Sequence, residues 1–238
     1  MRRIDDLERN GFKIIQETDS FCFGIDSVLL ADFIKENKKA KVIDLGTGNG
    51  IIPLLLIARD KIETAVGIEI QKANVELVKE NIELNNIEEK FKVVEADIKN
   101  ISDMYKTDKF DIVVTNPPYM KVGTGKVNIN ESKLIARHEV MCKLKDVIRN
   151  SSKILKEYGY FYMVNRVDRF NESITLMNEY KINPTRIKFI KPDKNKKANL
   201  FLIEGRKLSK ENLVIEHDLE VYKDNGEYTE EIMAIYYN

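Results

Sequence analysis

The stretch VVTNPPYM, Val113 to Met120, sets an amide, two stiff residues and an aromatic ring at the end of an apolar run. An exocyclic amine on a purine is a poor nucleophile, because its lone pair is delocalised into the ring. The side-chain oxygen of Asn116 and the backbone carbonyl of Pro117 can each accept one of its N–H groups. Two acceptors out of the ring plane favour a pyramidal nitrogen with its lone pair freed for attack. Pro117 and Pro118 keep that carbonyl from swinging away, and Tyr119 offers a ring face for a flipped base. This chemistry needs orientation, and neither a metal nor a covalent intermediate. The bland alternative is a proline-rich turn after a strand.

A second group of residues is suited to holding the electrophile. VIDLGTGNG places Gly46, Gly48 and Gly50 between an apolar run and a helical stretch, where doubly wound folds bind nucleotides. The GxGxG spacing is one residue shorter than the dinucleotide fingerprint, and Asp44 lies two positions before the first glycine. An acid there is wrong for a pyrophosphate, yet suits a cofactor with an ammonium group and no phosphate, such as S-adenosylmethionine. Glu69, with Ile70 beside it, closes the next strand, where a carboxylate can accept from both ribose hydroxyls. Asp97 closes the third and can accept from an adenine amino group, with Ala96 and Ile98 supplying backbone and apolar contacts. A lone glycine loop can be a packing turn; three acids at three successive strand ends are a more specific signal.

Positioning these groups on one rim requires alternating strands and helices, and the chain reads that way. KVIDLG, TAVGIEI, FKVVEAD and KFDIVVTN read as strands. IIPLLLIARD and QKANVELVKENIELNN read as helices, and a short helical turn falls near Ile101 to Tyr105. Lys121 to Asn130, with few apolar residues, reads as a mobile loop. KLKDVIRNSSKILKEYG has helical spacing and predicts a helix ending at Gly159. YFYMVNR is a strand, DRFNESITLMNEYK a helix, and PTRIKFIK and ANLFLIEGRK are strands joined by so short a turn that they must pair antiparallel. The expectation is an α/β fold with a seven-stranded, mainly parallel sheet and helices on both faces. One domain spans 1–238: an N-terminal segment 1–38, a core 39–210 and an acidic tail 211–238 packed back on the core.

Hydrophobic residues at 43% and charged residues at 33% describe a soluble protein. No apolar run approaches the roughly 18 residues that a membrane span requires, and MRRIDDLERNGF lacks the apolar centre of a signal peptide. The expected location is the cytoplasm. Cys22 and Cys142 stand 120 positions apart, and the only histidines are His138 and His217, so two reduced thiols and no metal site are expected. Net charge is zero, but unevenly distributed. Residues 181–210 hold ten bases against Asp193 and Glu204, for +8, and residues 211–238 hold Lys223 against eight acids, for −7. The acidic tail masks a basic segment that can serve as a phosphate surface or as a solvated face.

DLGTGNG followed by NPPY resembles the class I, Rossmann-like amino-methyltransferases that use S-adenosylmethionine. FCFGIDSVLLADFI ahead of the glycine loop, ARHE after NPPY, GYFYMVNRVDRF and the closing EYTEEIMAIYYN together resemble a narrower group, the bacterial tRNA1(Val) adenine-37 N6-methyltransferases. The resemblance runs from about residue 7 to the C-terminus. It implies Asp44, Gly46, Gly48 and Gly50 around the methionine part of S-adenosylmethionine, Glu69 on the ribose, Asp97 on the cofactor adenine, and Asn116 to Tyr119 as the catalytic motif, with Asn116 also touching the cofactor. Phe23 and Gly24 match the segment that covers the cofactor; by sequence alone FGIDS also reads as a helix start capped by Asp26 or Ser27. Arg137 and His138 fit either a substrate-positioning or a buried structural role.

The implied partner is tRNA at its anticodon stem-loop, with the basic segment and Lys121, Lys126, Lys133 and Arg137 as candidate contacts; oligomeric state is open, a monomer being slightly favoured. NPPY fits any NH2 on an sp2 carbon, so ribosomal guanine, DNA adenine and protein glutamine are alternative targets. A non-catalytic RNA-binding protein is the alternative of another class.

Overall fold

The computed structural model describes residues 2–17, 23–117 and 142–237. Near the start, Asn10 and Gly11 both take positive φ, 49° and 73°, and the Phe12 N–H donates to the Arg9 carbonyl at 2.8 Å. This turn geometry folds a hairpin, and it pairs β1 (Arg2–Asp6) antiparallel with β2 (Lys13–Glu17). The chain continues through α1 (Ile25–Phe33), β3 (Lys41–Leu45), α2 (Ile51–Ala58), β4 (Thr64–Glu69), α3 (Lys72–Leu84) and β5 (Phe91–Glu95). A single 3-10 turn, Ile98–Asn100, leads into the short α4 (Ile101–Met104) and then β6 (Phe110–Thr115). After residue 141 come α5 (Leu144–Ile154), β7 (Leu155–Arg166), α6 (Phe170–Glu179), β8 (Ile182–Asp193) and β9 (Leu200–Lys207). The tail adds β10 (Val214–Ile215), β11 (Leu219–Tyr222) and α7 (Glu230–Tyr237).

The main sheet runs β10-β8-β9-β7-β6-β3-β4-β5, with β11 also beside β8. The seven expected strands form its unbroken centre from β8 to β5, parallel except for β9, which is antiparallel to both β7 and β8. Beyond the expected count, β10 and β11 pair parallel with β8. Strand order reverses between β3 and β6, so the ends of these two neighbours open a crevice at the carboxyl edge, where open α/β sheets take ligands.

Period-two alternation places both faces of each central strand in apolar surroundings. Val42, Ile112, Val114, Tyr162 and Val164 join a cluster with α1 and α2, while Ile43, Val113, Phe161 and Met163 join another with α5 and α6. All eight residues of α2 are buried. A helix apolar all round is buried all round, and each Leu or Ile so enclosed contributes roughly 1.5–3 kcal/mol.

Two features depart from the sequence reading. The helix expected to reach Gly159 ends at Ile154, and the next residue is already extended. Between Phe110↔Leu155 and Ile112↔Tyr160 the β6–β7 register shifts, and Tyr158 takes the positive φ of 60°. Gly159 serves close approach instead, since a Cβ there would lie 2.9 Å from the Asp111 carbonyl oxygen. Five of the ten bases of the basic segment, too, are paired by the tail. Lys188 binds Glu231, Lys191 Asp218, Lys194 Asp224 and Arg206 Glu211, while Arg186 bridges Glu204 and Glu216. Charge counted along the chain could not show this, because it is the lateral placement of β10 and β11 against β8 that brings the acids across.

Candidate active site

Asp44 is buried near the end of β3, 1% exposed. Its Oδ2 accepts the Thr47 hydroxyl at 2.7 Å, whereas its Oδ1 is buried with no hydrogen-bond partner. Burial, seconded by the charge of Glu69 and opposed by Thr47, pushes the Asp44 carboxyl up to about 7. A buried carboxylate oxygen without a partner is an acceptor that a cationic group could satisfy.

Past Asp44 the chain turns through Gly46, Gly48 and Gly50 at φ of 77°, 58° and 84°. Side chains resist these values, and above Gly46 and Gly48 there is open space: the nearest atom to a Cβ on Gly46 is Ile98 Cδ1 at 4.0 Å, and none lies within 4 Å on Gly48. Gly50 caps α2 with its own backbone against Phe91 and Val78.

The register of β3, β4 and β5 puts the other acids on the same edge. Asp44 pairs with Gly67 and Glu69 with Glu95, two residues before Asp97. Three backbone N–H groups hold the Glu69 carboxylate: that of Gly48 on Oε2 at 3.1 Å, and those of Ile70 and Gln71 on Oε1 at 2.9 and 2.8 Å. Of about four acceptor positions on a carboxylate, one on Oε2 remains. One ribose hydroxyl therefore fits as the carboxylate stands, and two require it to turn. Asp97 Oδ1 accepts the Lys99 N–H at 2.8 Å and caps the 3-10 turn that carries Ile98 to the space over Gly46.

Asn116 follows β6, the neighbour of β3 on its other side. Asp44 pairs with Val114, and the Thr115 hydroxyl donates to the Leu45 carbonyl at 2.9 Å, so the end of β6 is tied to the start of the glycine loop. The Asn116 amide nitrogen donates to Asp26 Oδ2 at 3.2 Å and to Ser27 Oγ at 2.9 Å. Neither residue caps its helix. The N-cap is Gly24, with no side-chain bond, and Asp26 and Ser27 lie in the first turn of α1, 7% and 4% exposed. Pro117 is buried; Pro118 and Tyr119 lie outside the described residues, as do Cys22, Lys121 to Asn130, Lys133, Arg137 and His138.

The N-terminal hairpin is fastened to this rim by a residue that helical periodicity alone does not single out. Asn81, fully buried in α3, accepts the Ile15 N–H at 2.6 Å and donates to the carbonyls of Ile15 and Asn49 at 3.2 and 3.1 Å. One amide thus joins β2 to the glycine loop. Gln16, also buried, accepts the Phe23 N–H at 3.2 Å and sets the approach to Gly24. A buried Asn inside an apolar helical stripe was the available signal.

Among the described residues no three His, Cys, Asp or Glu side chains gather in a way that could hold a metal ion. Burial pushes the Cys142 thiol up to about 12, leaving it protonated and unreactive. No helix among the described residues is long and apolar enough to cross a membrane.

The family model of the methyltransferase small domain matches residues 22–182. Over 228 residues the chain is 25% identical to a Christiangramia forsetii protein named tRNA1(Val) (adenine(37)-N6)-methyltransferase, covering 94% of this chain and 92% of that one. A Bacteroides thetaiotaomicron protein of the same name is 29% identical over 165 residues, 68% of this chain and 67% of its own. In structure, a predicted O-methyltransferase from Agrobacterium tumefaciens superposes with a TM-score of 0.69 over 88% of this chain and 94% of its own, at 21% identity. That likeness shows a shared class I fold, and the match over residues 22–182 shows more: the chain belongs to the methyltransferase small domain family.

Proposed function

We propose that this protein transfers a methyl group from S-adenosylmethionine to the exocyclic N6 of an unpaired adenine in tRNA, adenine 37 beside the anticodon of valine tRNA. The observation that carries the reading is the placement of Asn116, its amide nitrogen tied down, on the edge where Asp44 holds a buried oxygen without a partner. The family supports the reaction class, and the relatives named for adenine 37 of tRNA1(Val) support the target. The whole chain acts as one domain in this reading, because the tail strands extend the same sheet.

S-adenosylmethionine supplies an electrophilic methyl group when bound. Asp44 Oδ1 would receive its ammonium, Gly46, Gly48 and Gly50 would let the methionine part approach the backbone, Glu69 with Ile70 would take the ribose, and Asp97 with Ile98 the adenine. Phe23 and Gly24 close the site from the N-terminal side. The Asn116 side-chain oxygen and the Pro117 carbonyl accept the two N–H groups of the target amine and aim its lone pair at the methyl carbon. Bound on this edge, the cofactor would supply the methyl group to that nitrogen, which would give up one proton to water. Pro118 and Tyr119 complete the motif in the sequence and lie outside the described residues. The anticodon stem-loop is the part of tRNA that presents such a base unpaired.

Asn116→Ala tests this assignment. Cofactor affinity measured by calorimetry stays within about threefold, while turnover falls at least ~100-fold, the effect of losing a preorganised transition-state contact. Wild-type turnover in this variant would remove Asn116 from the reaction.

A further inference from the structure

The Asn116 amide has two ends of nearly equal size, and only the oxygen end can accept a hydrogen bond from an amine. Rotation about its last side-chain bond is broad and two-fold, so the strand alone does not decide which end faces the target. On the other side of the amide, Asp26 Oδ2 and Ser27 Oγ both lie within hydrogen-bond distance of the nitrogen. A carboxylate only accepts. Were the amide turned over, its oxygen would face the Asp26 oxygen, acceptor against acceptor, at a buried position.

The Asp26 carboxylate is itself fixed. Its Oδ1 accepts the Ser27 N–H at 3.0 Å, in the first turn of α1, where a negative charge is favoured. A Cβ on Gly24 would lie 2.6 Å from that same Oδ1, so glycine leaves the room in which the carboxylate folds back. Asp26 and Ser27 stand about ninety positions before Asn116 and meet it only through the fold.

We propose that Asp26 and Ser27 are positioning residues that hold the Asn116 amide with its oxygen toward the target amine. This rests on the reading of Asn116 as an acceptor for that amine. It gives the FGIDS segment a task in the chemical step, distinct from covering the cofactor.

An exchange of partners tests it, with methyl transfer to unmodified tRNA as the assay and cofactor affinity and unfolding midpoint measured for every variant. Asn116→Asp alone sets two carboxylates face to face and loses turnover at least ~100-fold. Asp26→Asn alone lets the amide pair in either sense, and kcat falls about tenfold with KM for S-adenosylmethionine unchanged. Ser27→Ala, which removes one acceptor with little change in volume, lowers kcat severalfold. The double variant Asp26→Asn/Asn116→Asp restores the pairing with donor and acceptor exchanged, and turns over at least about tenfold faster than Asn116→Asp.

Losses that simply multiply in the double variant would overturn the inference, as would wild-type kcat in both Asp26→Asn and Ser27→Ala. Those results, together with an inactive Asn116→Ala, leave the functional reading standing; an inactive wild-type protein or an active Asn116→Ala contradicts that reading and this inference with it.

Discussion

Asp44 and Glu204 are two carboxylates of one sheet, each 1% exposed, in opposite electrostatic states. Glu204, in β9, is enclosed by the protein's own cations and donors: Arg186 Nε at 3.1 Å and Nη2 at 2.9 Å, Lys35 Nζ at 3.1 Å and the Thr185 hydroxyl at 2.8 Å. Burial would raise its pKa, but Arg186, Thr185 and Lys35 outweigh burial and hold it below the usual value. Asp44 has a single hydroxyl on one oxygen and none on the other, and burial prevails. Equal burial therefore does not mean equal role. A buried charge completed within the chain is architecture, and one left incomplete at a strand end is a candidate to take a ligand's charge.

The largest effect that bears on this contrast is Arg186→Met. Arg186 also stacks over the Phe33 ring at 3.7 Å and bridges to Glu216, and its removal leaves Glu204 buried with its main partner gone. Urea denaturation should show a loss of about 3 kcal/mol or more, as when one member of a buried pair is deleted. A loss under about 1 kcal/mol would place Glu204 in effectively solvated surroundings and dissolve the contrast.

Asp44→Asn is expected to behave in the opposite way. Without cofactor its stability equals or exceeds that of the wild type, because an unpartnered buried charge has been removed. Its affinity for S-adenosylmethionine falls at least about tenfold, or ~1.4 kcal/mol. Unchanged affinity would take the ammonium away from Asp44.

The two carboxylates also respond to pH with opposite signs. The folded pKa of Asp44, about 7, lies above its unfolded value, so between about 4 and 7 the native state holds a proton that the unfolded state has released. Its contribution to stability is present at low pH and is lost as pH rises through that window. Glu204 has the opposite sign: its contribution is present above the unfolded pKa and lost as pH falls through the lower folded one. Cofactor binding favours ionised Asp44, so affinity rises with pH by up to about one logarithmic unit per pH unit below 7 and then levels. Calorimetry in two buffers of different ionisation enthalpy would register the released proton, and Asp44→Asn should abolish it.

How much of this was legible in the sequence follows from the range of each interaction. The alternation Val42, Ile43, Asp44 and the glycines after it are local, and they placed the central strands and the loop. Glu69 and Asp97 were found because parallel strands in register end together. The hairpin is marked only by Asn10-Gly11, a short-range turn signal. Other features were beyond a local reading. Asp26 and Ser27 meet Asn116 across about ninety positions, and Asn81 ties Ile15 to Asn49 from a third element. The two-residue β10 has no period to detect, and it helps bring the tail's acids against the basic strand.

The central claim is tested most directly by incubating the protein with isotopically labelled S-adenosylmethionine and unmodified total tRNA. The RNA is then digested and the labelled nucleoside identified by mass spectrometry, with Asn116→Ala as the parallel control. Label is expected in N6-methyladenosine, mapping to adenine 37 of valine tRNA and absent with the variant. Label in a different nucleoside, or none in tRNA from a protein that binds S-adenosylmethionine, would contradict it.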